Sequence, residues 1–335
     1  MSLTKEFLNR PTNISAKVIA DSIAKNGKRI TTFELEYNRF IHSEMMTHGA
    51  LVKNSSSSRA IPISKMIEQI KLNPSTPIYW GKTQSGMQAK EELTYSELKR
   101  VKELWEVAKD NAITRATQMS LNECHKQIAN RITEPFQMIK VVCTATDFDN
   151  FFNLRIHPDA QPEILMLAYL MYKAMQQSTP MLLNQGEWHL PYVERERNNG
   201  TLEYFIYEEN EIGYFGKKYI PLEQAIKISS SCTAQTSYRK NDASIEKADK
   251  IHDMLIKADV LHASPFAHLA TPIVSNNAYT NIPYLTYTWQ DGITHVMKNG
   301  MLCSGNLQGW IQYRQLIPNN TCWNFDFDKR MKMFE

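Results

Sequence analysis

No stretch of about eighteen apolar residues occurs in the chain, so no membrane-spanning helix is expected. The first ten residues, Met1 to Arg10, are polar and lack the apolar core of a secretory signal. Cysteine is sparse: five in 335 residues, with no Cys-x-x-Cys pair. That pattern argues against a disulfide framework or a zinc site and fits reduced thiols in a cytoplasm. Blocks of like charge are missing too, and the net charge is only +3. Nucleic acid is therefore not expected as a partner. No Gly-x-Gly-x-x-Gly occurs, so any dinucleotide must be held without that fingerprint. Gly81-Lys82-Thr83 resembles the end of a P-loop, but Thr76 stands where the loop requires its first glycine.

The apolar fraction of 42% suffices for a substantial core. The chain reads as one mixed α+β domain spanning residues 1–335, with an insertion at about 180–220. Lys28 to Tyr37 alternates and predicts a strand with one buried face. It leads into a short helix, Phe40 to Met46. Next come Thr47, His48 and Gly49, and then Asn54 before four consecutive serines, Ser55 to Ser58, and Arg59. Hydroxyls, free backbone N–H groups and one guanidinium together suit an anion. The same composition also suits a solvated loop.

Pro62 opens a helix over Ile63 to Leu72, and Asn73 to Lys90 reads as a loop. Thr94 to about Ile132 is helical by periodicity, with Ser96 as cap and breaks near Asp110-Asn111 or Ser120-Asn122. Phe136 to Thr146 is β-rich. A helix apolar nearly all round runs from about Asp159 to Gln177, as a central helix or one facing another subunit would. A hairpin is expected around Asn198-Asn199-Gly200, and helices over Leu222 to Ser231 and Ile245 to Ala258. The insertion carries no evident chemistry.

Three stretches resemble the flavin-dependent thymidylate synthases. His48, Asn54, Ser57 and Arg59 are in register with that family's Arg-His-Arg-x-x-Ser-x-Asn-Glu-x-Ser-x-Arg motif. Thr47 and Gly49 replace its two arginines, Val52 its first serine and Ser55 its glutamate. Asn150-Phe151-Phe152-Asn153-Leu154-Arg155, followed by Ala160-Gln161-Pro162-Glu163-Ile164, resembles a second motif, with Asn130 to Pro135 upstream. His262-Ala263-Ser264-Pro265-Phe266-Ala267-His268 resembles a third, with Leu261 and Ala267 replacing its glycine and glutamate. Ser237-Tyr238 and Ser304 to Arg314 are similar to a phage-associated branch. The third motif usually comes first, so the chain looks circularly permuted. The resemblance covers most of residues 28–155 and 225–316.

The resemblance implies a central sheet with long helices, assembled as a homotetramer in the cytoplasm. It implies reductive methylation of dUMP at C5, with methylenetetrahydrofolate as one-carbon donor and FAD reduced by NADPH. Arg155 would stabilise charge on the pyrimidine ring. Glu44, Ser55, Ser56, Ser57, Ser58 and Arg59 would hold the nucleotide, and Arg131 would close on it from another subunit. Thr47, His48, Gly49, Asn54, Thr144, Thr146, Asn150, His262 and Ser264 would contact FAD. Arg39 or Arg314 could replace the two lost arginines. The alternatives are another C5 modification, such as hydroxymethylation, or a nucleotide-binding relative without activity. Taken alone, Arg155 also suits a core-edge ion pair, Arg131 a helix-dipole partner and His48 a structural histidine.

Overall fold

A computed structural model of the chain describes residues 7–209, 214–237, 241–258, 260–274 and 289–334. Tyr238, of the Ser-Tyr pair, lies outside them.

Alternation builds the central sheet. β1 (Ser15–Ala24) and β2 (Arg29–Asn38) form an antiparallel hairpin. Its turn needs Gly27, whose φ of +82° few other residues adopt. β3 (Val52–Ser55), β4 (Met138–Ala145) and β5 (Met181–Leu183) complete the order β3-β4-β2-β1-β5, antiparallel except where β5 joins β1. Successive side chains point to opposite faces. Phe33, Leu35 and Tyr37 of β2, with Ile139, Val141 and Cys143 of β4, enter one apolar core. Thr32, Glu34 and Glu36, with Lys140 and Thr144, occupy the other face, where Lys140 pairs with Glu34. The serine stretch thus begins as a strand: Ser55 pairs with Val141 at the sheet's edge. β1 had no counterpart in the sequence reading.

Helices close the first core. α1 (His42–Met46) follows β2, and α2 (Ile63–Leu72) follows the serine loop. α3 (Tyr95–Leu121) is unbroken through Asp110-Asn111 and stops near Ser120 as expected. Thr94, not Ser96, begins it: its N–H and hydroxyl both donate to the Glu97 carboxylate. α4 (Lys126–Ala129) leads into a 3-10 segment, Asn130–Phe136. α5 (Asp149–Arg155) carries Arg155 in its last turn, and α6 (Pro162–Gln177) lays Ile164, Leu165, Leu167, Ala168 and Met171 on the Phe33 face. Pro162, with no N–H to lose, starts α6 slightly later than the periodicity suggests.

The region near 180–220 forms a sheet of its own. β6 (Glu194–Asn198), β7 (Thr201–Glu209) and β8 (Phe215–Ile220) form a meander. Tyr204, Ile206 and Ile220 share a second core with Ala225, Ile228 and Cys232 of α7 (Leu222–Ala234), and α8 (Ile245–Ile256) packs on α7. Short strands follow: β9 (Ala270–Pro272), β10 (His295–Val296), β11 (Leu302–Ser304), β12 (Leu307–Gln308) and β13 (Trp310–Gln312). Among the described residues, no helix is long and apolar enough to cross a membrane.

Candidate functional site

The stretches singled out in sequence converge around β3. α1 presents Glu44, and His48 follows two residues past its end, where its N–H donates to the Met45 carbonyl at 3.4 Å. α5 delivers Arg155 from over a hundred residues away. Its Nε donates to His48 Nε2 at 2.8 Å, and one terminal nitrogen donates to Glu44 Oε2 at 3.2 Å. Among the described residues, the other terminal nitrogen has no partner. Phe151, one turn earlier on α5, sets its ring edge-on to His48 at 4.9 Å. The His48 imidazole is held below its ordinary pKa by partial burial, then by Arg155 and Lys53. A neutral ring can accept the Arg155 proton, whereas a protonated one would repel the guanidinium. The arrangement is a half-buried guanidinium oriented by an imidazole and a carboxylate, with one donor edge unused.

A second cluster surrounds the serine loop. Ser58 Oγ donates to Glu134 Oε1 at 3.1 Å. The same oxygen takes Arg131 at 2.8 Å and Arg39 at 3.2 Å. Asn130 ties the loop with two bonds, to the Ser58 and Ile61 carbonyls. Glu134 was not singled out in sequence, and a lone glutamate before a proline gives no signal of this role. Within the chain, Arg131 thus meets the loop through the Glu134 carboxylate.

The four serines are not equivalent. Ser56 is buried and bonded into β4, where its hydroxyl accepts from Lys140 N. Ser58 is buried and spends its proton on Glu134. The expected cradle of four hydroxyls is therefore halved, because two of them satisfy interior groups. Ser55 and Ser57 are half-buried, and the Ser57 N–H donates to Ser237 Oγ at 2.9 Å. Arg59 is exposed, and its guanidinium has no partner among the described residues. A cavity of about 320 Å³ lies beside the loop, with Ser56, Ser237, Arg39 and Lys140 in its wall.

The third and fourth stretches arrive on the other side of β3. Asn54 donates to the Thr233 carbonyl at 2.7 Å, and Ser264 Oγ reaches Asn54 Oδ1 at 3.5 Å. Asn306 donates to the Gly49 carbonyl, and Gln308 N to Thr146 Oγ1. His262, Ser264 and Asn150 are exposed. Thr47 is exposed, with its hydroxyl turned back to the Glu44 carbonyl. Thr144 is fully buried on the sheet's second face, between Thr32 and the His268 ring. A ligand at the surface therefore cannot touch Thr144 in this conformation.

The donor set fits a flavin incompletely. A flavin dinucleotide brings a diphosphate, which calls for fixed cations. Thr47 and Gly49 supply none, and a Cβ at Gly49 would meet nothing within 4 Å. Arg39 is engaged by Glu134, and Arg314 reaches the Asn320 carbonyl. Arg39 is thus not free to replace the two guanidiniums, whereas the buried Arg314 Nε has no partner among the described residues. Among the described residues, no group of three or more His, Cys, Asp or Glu could hold a metal ion.

His189 and His268 are both completely buried. Burial holds the His268 imidazole down at about 3; burial, then Arg195 and His268, holds His189 well below 6.5. The folded state thus refuses protons that the unfolded chain accepts below pH 6.5. Stability is fully present above 6.5 and is lost as pH falls. Between pH 6.5 and 5.5 each ring is expected to cost roughly 1 kcal/mol. Urea unfolding at stepped pH checks this, and the loss should shrink in His268→Gln.

No protein-family model matches the chain, and no curated protein matches it. Solved structures similar to it include two of a UMP/dUMP methylase, PolB, from Streptomyces cacaoi. The one bound with 5-Br dUMP is 14% identical, with a TM-score of 0.41, over 51% of this chain and 92% of that chain. The one bound with 5-Br UMP is 15% identical, with a TM-score of 0.42, over the same shares of 51% and 92%.

Proposed function

We propose that this chain modifies C5 of a pyrimidine nucleoside monophosphate, with dUMP as substrate. The observation that carries the reading is the convergence of Arg155 on His48 and Glu44, with Lys53 of β3, the strand that leads into the serine loop and its unpaired arginine, donating to the His48 carbonyl. Arg59 and the half-buried hydroxyls of Ser55 and Ser57 hold the phosphate. Arg131, steered by Glu134, approaches the same loop. Arg155 turns its unused N–H edge to the pyrimidine.

C5 of uracil becomes nucleophilic when negative charge builds on the ring carbonyls. A preorganised guanidinium facing those oxygens stabilises that charge without reorganising. Glu44 and His48 hold the fork in place, and the neutral state of His48 keeps it an acceptor for Arg155. The carbon donor in this reading is methylenetetrahydrofolate.

The finer reading is flavin-dependent methylation in a homotetramer, with FAD supplying hydride that NADPH provides. His48, Asn54, Asn150, His262 and Ser264 would hold the ring end of FAD. The uncharged Thr47 and Gly49 favour a second reading, C5 modification or nucleotide binding without a flavin.

Tritium release from C5-labelled dUMP, with the folate donor and NADPH, tests the reading with and without FAD. Release that requires FAD supports the flavin-dependent form; release without it supports the second. Product mass separates methyl from hydroxymethyl. Absence of release, together with absence of dUMP binding, overturns the nucleotide assignment. Arg59→Ala should weaken dUMP binding by about 10–100-fold, the size of a lost charge-assisted hydrogen bond. Titration calorimetry measures it. Because Arg59 is exposed and unpaired, the melting temperature should stay within a degree or two.

A further inference from the structure

Six side chains form one hydrogen-bonded line through the interior. It runs from Arg195 on β6 to Ser22 on β1, His189, Thr32 on β2, Thr144 on β4 and His268. The successive contacts are 2.7, 2.8, 2.8, 2.7 and 2.8 Å. Every member after Arg195 is completely buried.

The direction of the line follows from its first member. A guanidinium only donates. Ser22 Oγ therefore accepts from Arg195, and its own proton has one acceptor among the described residues, His189 Nδ1. His189 then carries its proton on Nε2 and gives it to Thr32. Thr32 donates to Thr144, and Thr144 donates to His268 Nδ1. A neutral His268 must hold its proton on Nε2, an atom that is buried and has no partner in the described structure. The reverse direction would leave two buried groups unsatisfied, the Ser22 hydroxyl proton and the His268 Nε2 lone pair, rather than one.

We propose that Arg195 sets the polarity of this line and thereby holds His268, five side chains away, as the Nε2–H tautomer. The Nε2–H is the one donor that the line leaves open. His268 closes the 3-10 turn Pro265–His268, which follows Ser264 and packs beside β3. The meander of β6–β8 thus presets hydrogen bonding beneath the candidate site without placing a residue in it. Arg195 is a positioning residue, and the inference stands apart from the nucleotide reading.

Long-range 1H–15N correlation on the full chain, with 15N-labelled histidine rings, tests it from pH 5 to 8. Two rings, assigned through His189→Gln and His268→Gln, should stay neutral throughout and show protonated Nε2 only. A His268 ring protonated on Nδ1 overturns the proposal, as does one that titrates near pH 6.5. In Arg195→Met, and separately in Ser22→Ala, His268 should change from one tautomer to a mixture. Arg195→Lys, still an obligatory donor, should keep the single tautomer. An unchanged His268 in both Arg195→Met and Ser22→Ala removes Arg195 as the source of the polarity. Where Arg195→Met does not fold, Ser22→Ala decides, and an unchanged single tautomer there overturns the proposal.

Discussion

Arg155→Ala should lower C5 tritium release by about 10²–10³-fold, the usual loss when one preorganised donor to a developing oxyanion is removed. The side chain is 21% exposed and lies in the last turn of α5, so its removal opens no apolar cavity. It frees Glu44 and His48, both of which can turn to water. Thermal unfolding should therefore change little, which separates a chemical defect from a folding one. Arg155→Lys should not restore activity. An ammonium is a point charge and cannot contact His48, Glu44 and a ring carbonyl with three separate nitrogens in one plane. Retained release in Arg155→Ala would remove this residue from the chemistry and leave the ion-pair role alone.

Trp310→Ala should cost about 3–5 kcal/mol of stability, as large aromatic truncations in a packed core do. Trp310 is completely buried among Ala24, Ile30, Leu183, Ala270 and Leu307, and its Nε1–H donates to the Lys28 carbonyl at 3.1 Å. The truncation removes packing and one of two hydrogen bonds to that carbonyl, which keeps the Ala24 N–H. Urea unfolding measures the loss, with Trp323→Ala as the control. Trp323 is 87% exposed, and its variant should fall within about 0.5 kcal/mol of the parent. The consequence reaches the site, because Trp310 anchors the strands that carry Asn306 to Gly49 and Gln308 to Thr146. Dissociation of dUMP should quicken in Trp310→Ala even at temperatures where the chain remains folded.

Much of the secondary structure was legible because its causes are local. The alternation of Phe33, Leu35 and Tyr37 reflects a two-residue period, and the stripe of α6 reflects a helical one. Capping is local too, yet Thr94 with Glu97, not Ser96, starts α3, and Pro162 starts α6 later than its periodicity suggests. Local signals identify no element where they are weak or compete. β1, with Val18, Ala20 and Ser22, has small and polar residues on both faces and a register shift between Val18 and Ala20, so no clean alternation marks it. The serine run looks like a loop by composition, yet Ser55 and Ser56 bond to β4 because an open sheet edge was there to receive them.

The sequence by itself determined a strand over about 28–37, the short helix that follows it, and the residue types able to meet an anion and a polarised ring. Only the tertiary structure decided which of those residues are free to do so. It placed Arg155 against His48 and Glu44, turned Ser56 and Ser58 inward and buried Thr144. It also gave Glu134 three partners and joined Arg195 to His268. The physical reason is range. Periodicity and capping are satisfied within a few residues, whereas a buried polar group must find its partner wherever the packed sheet brings one.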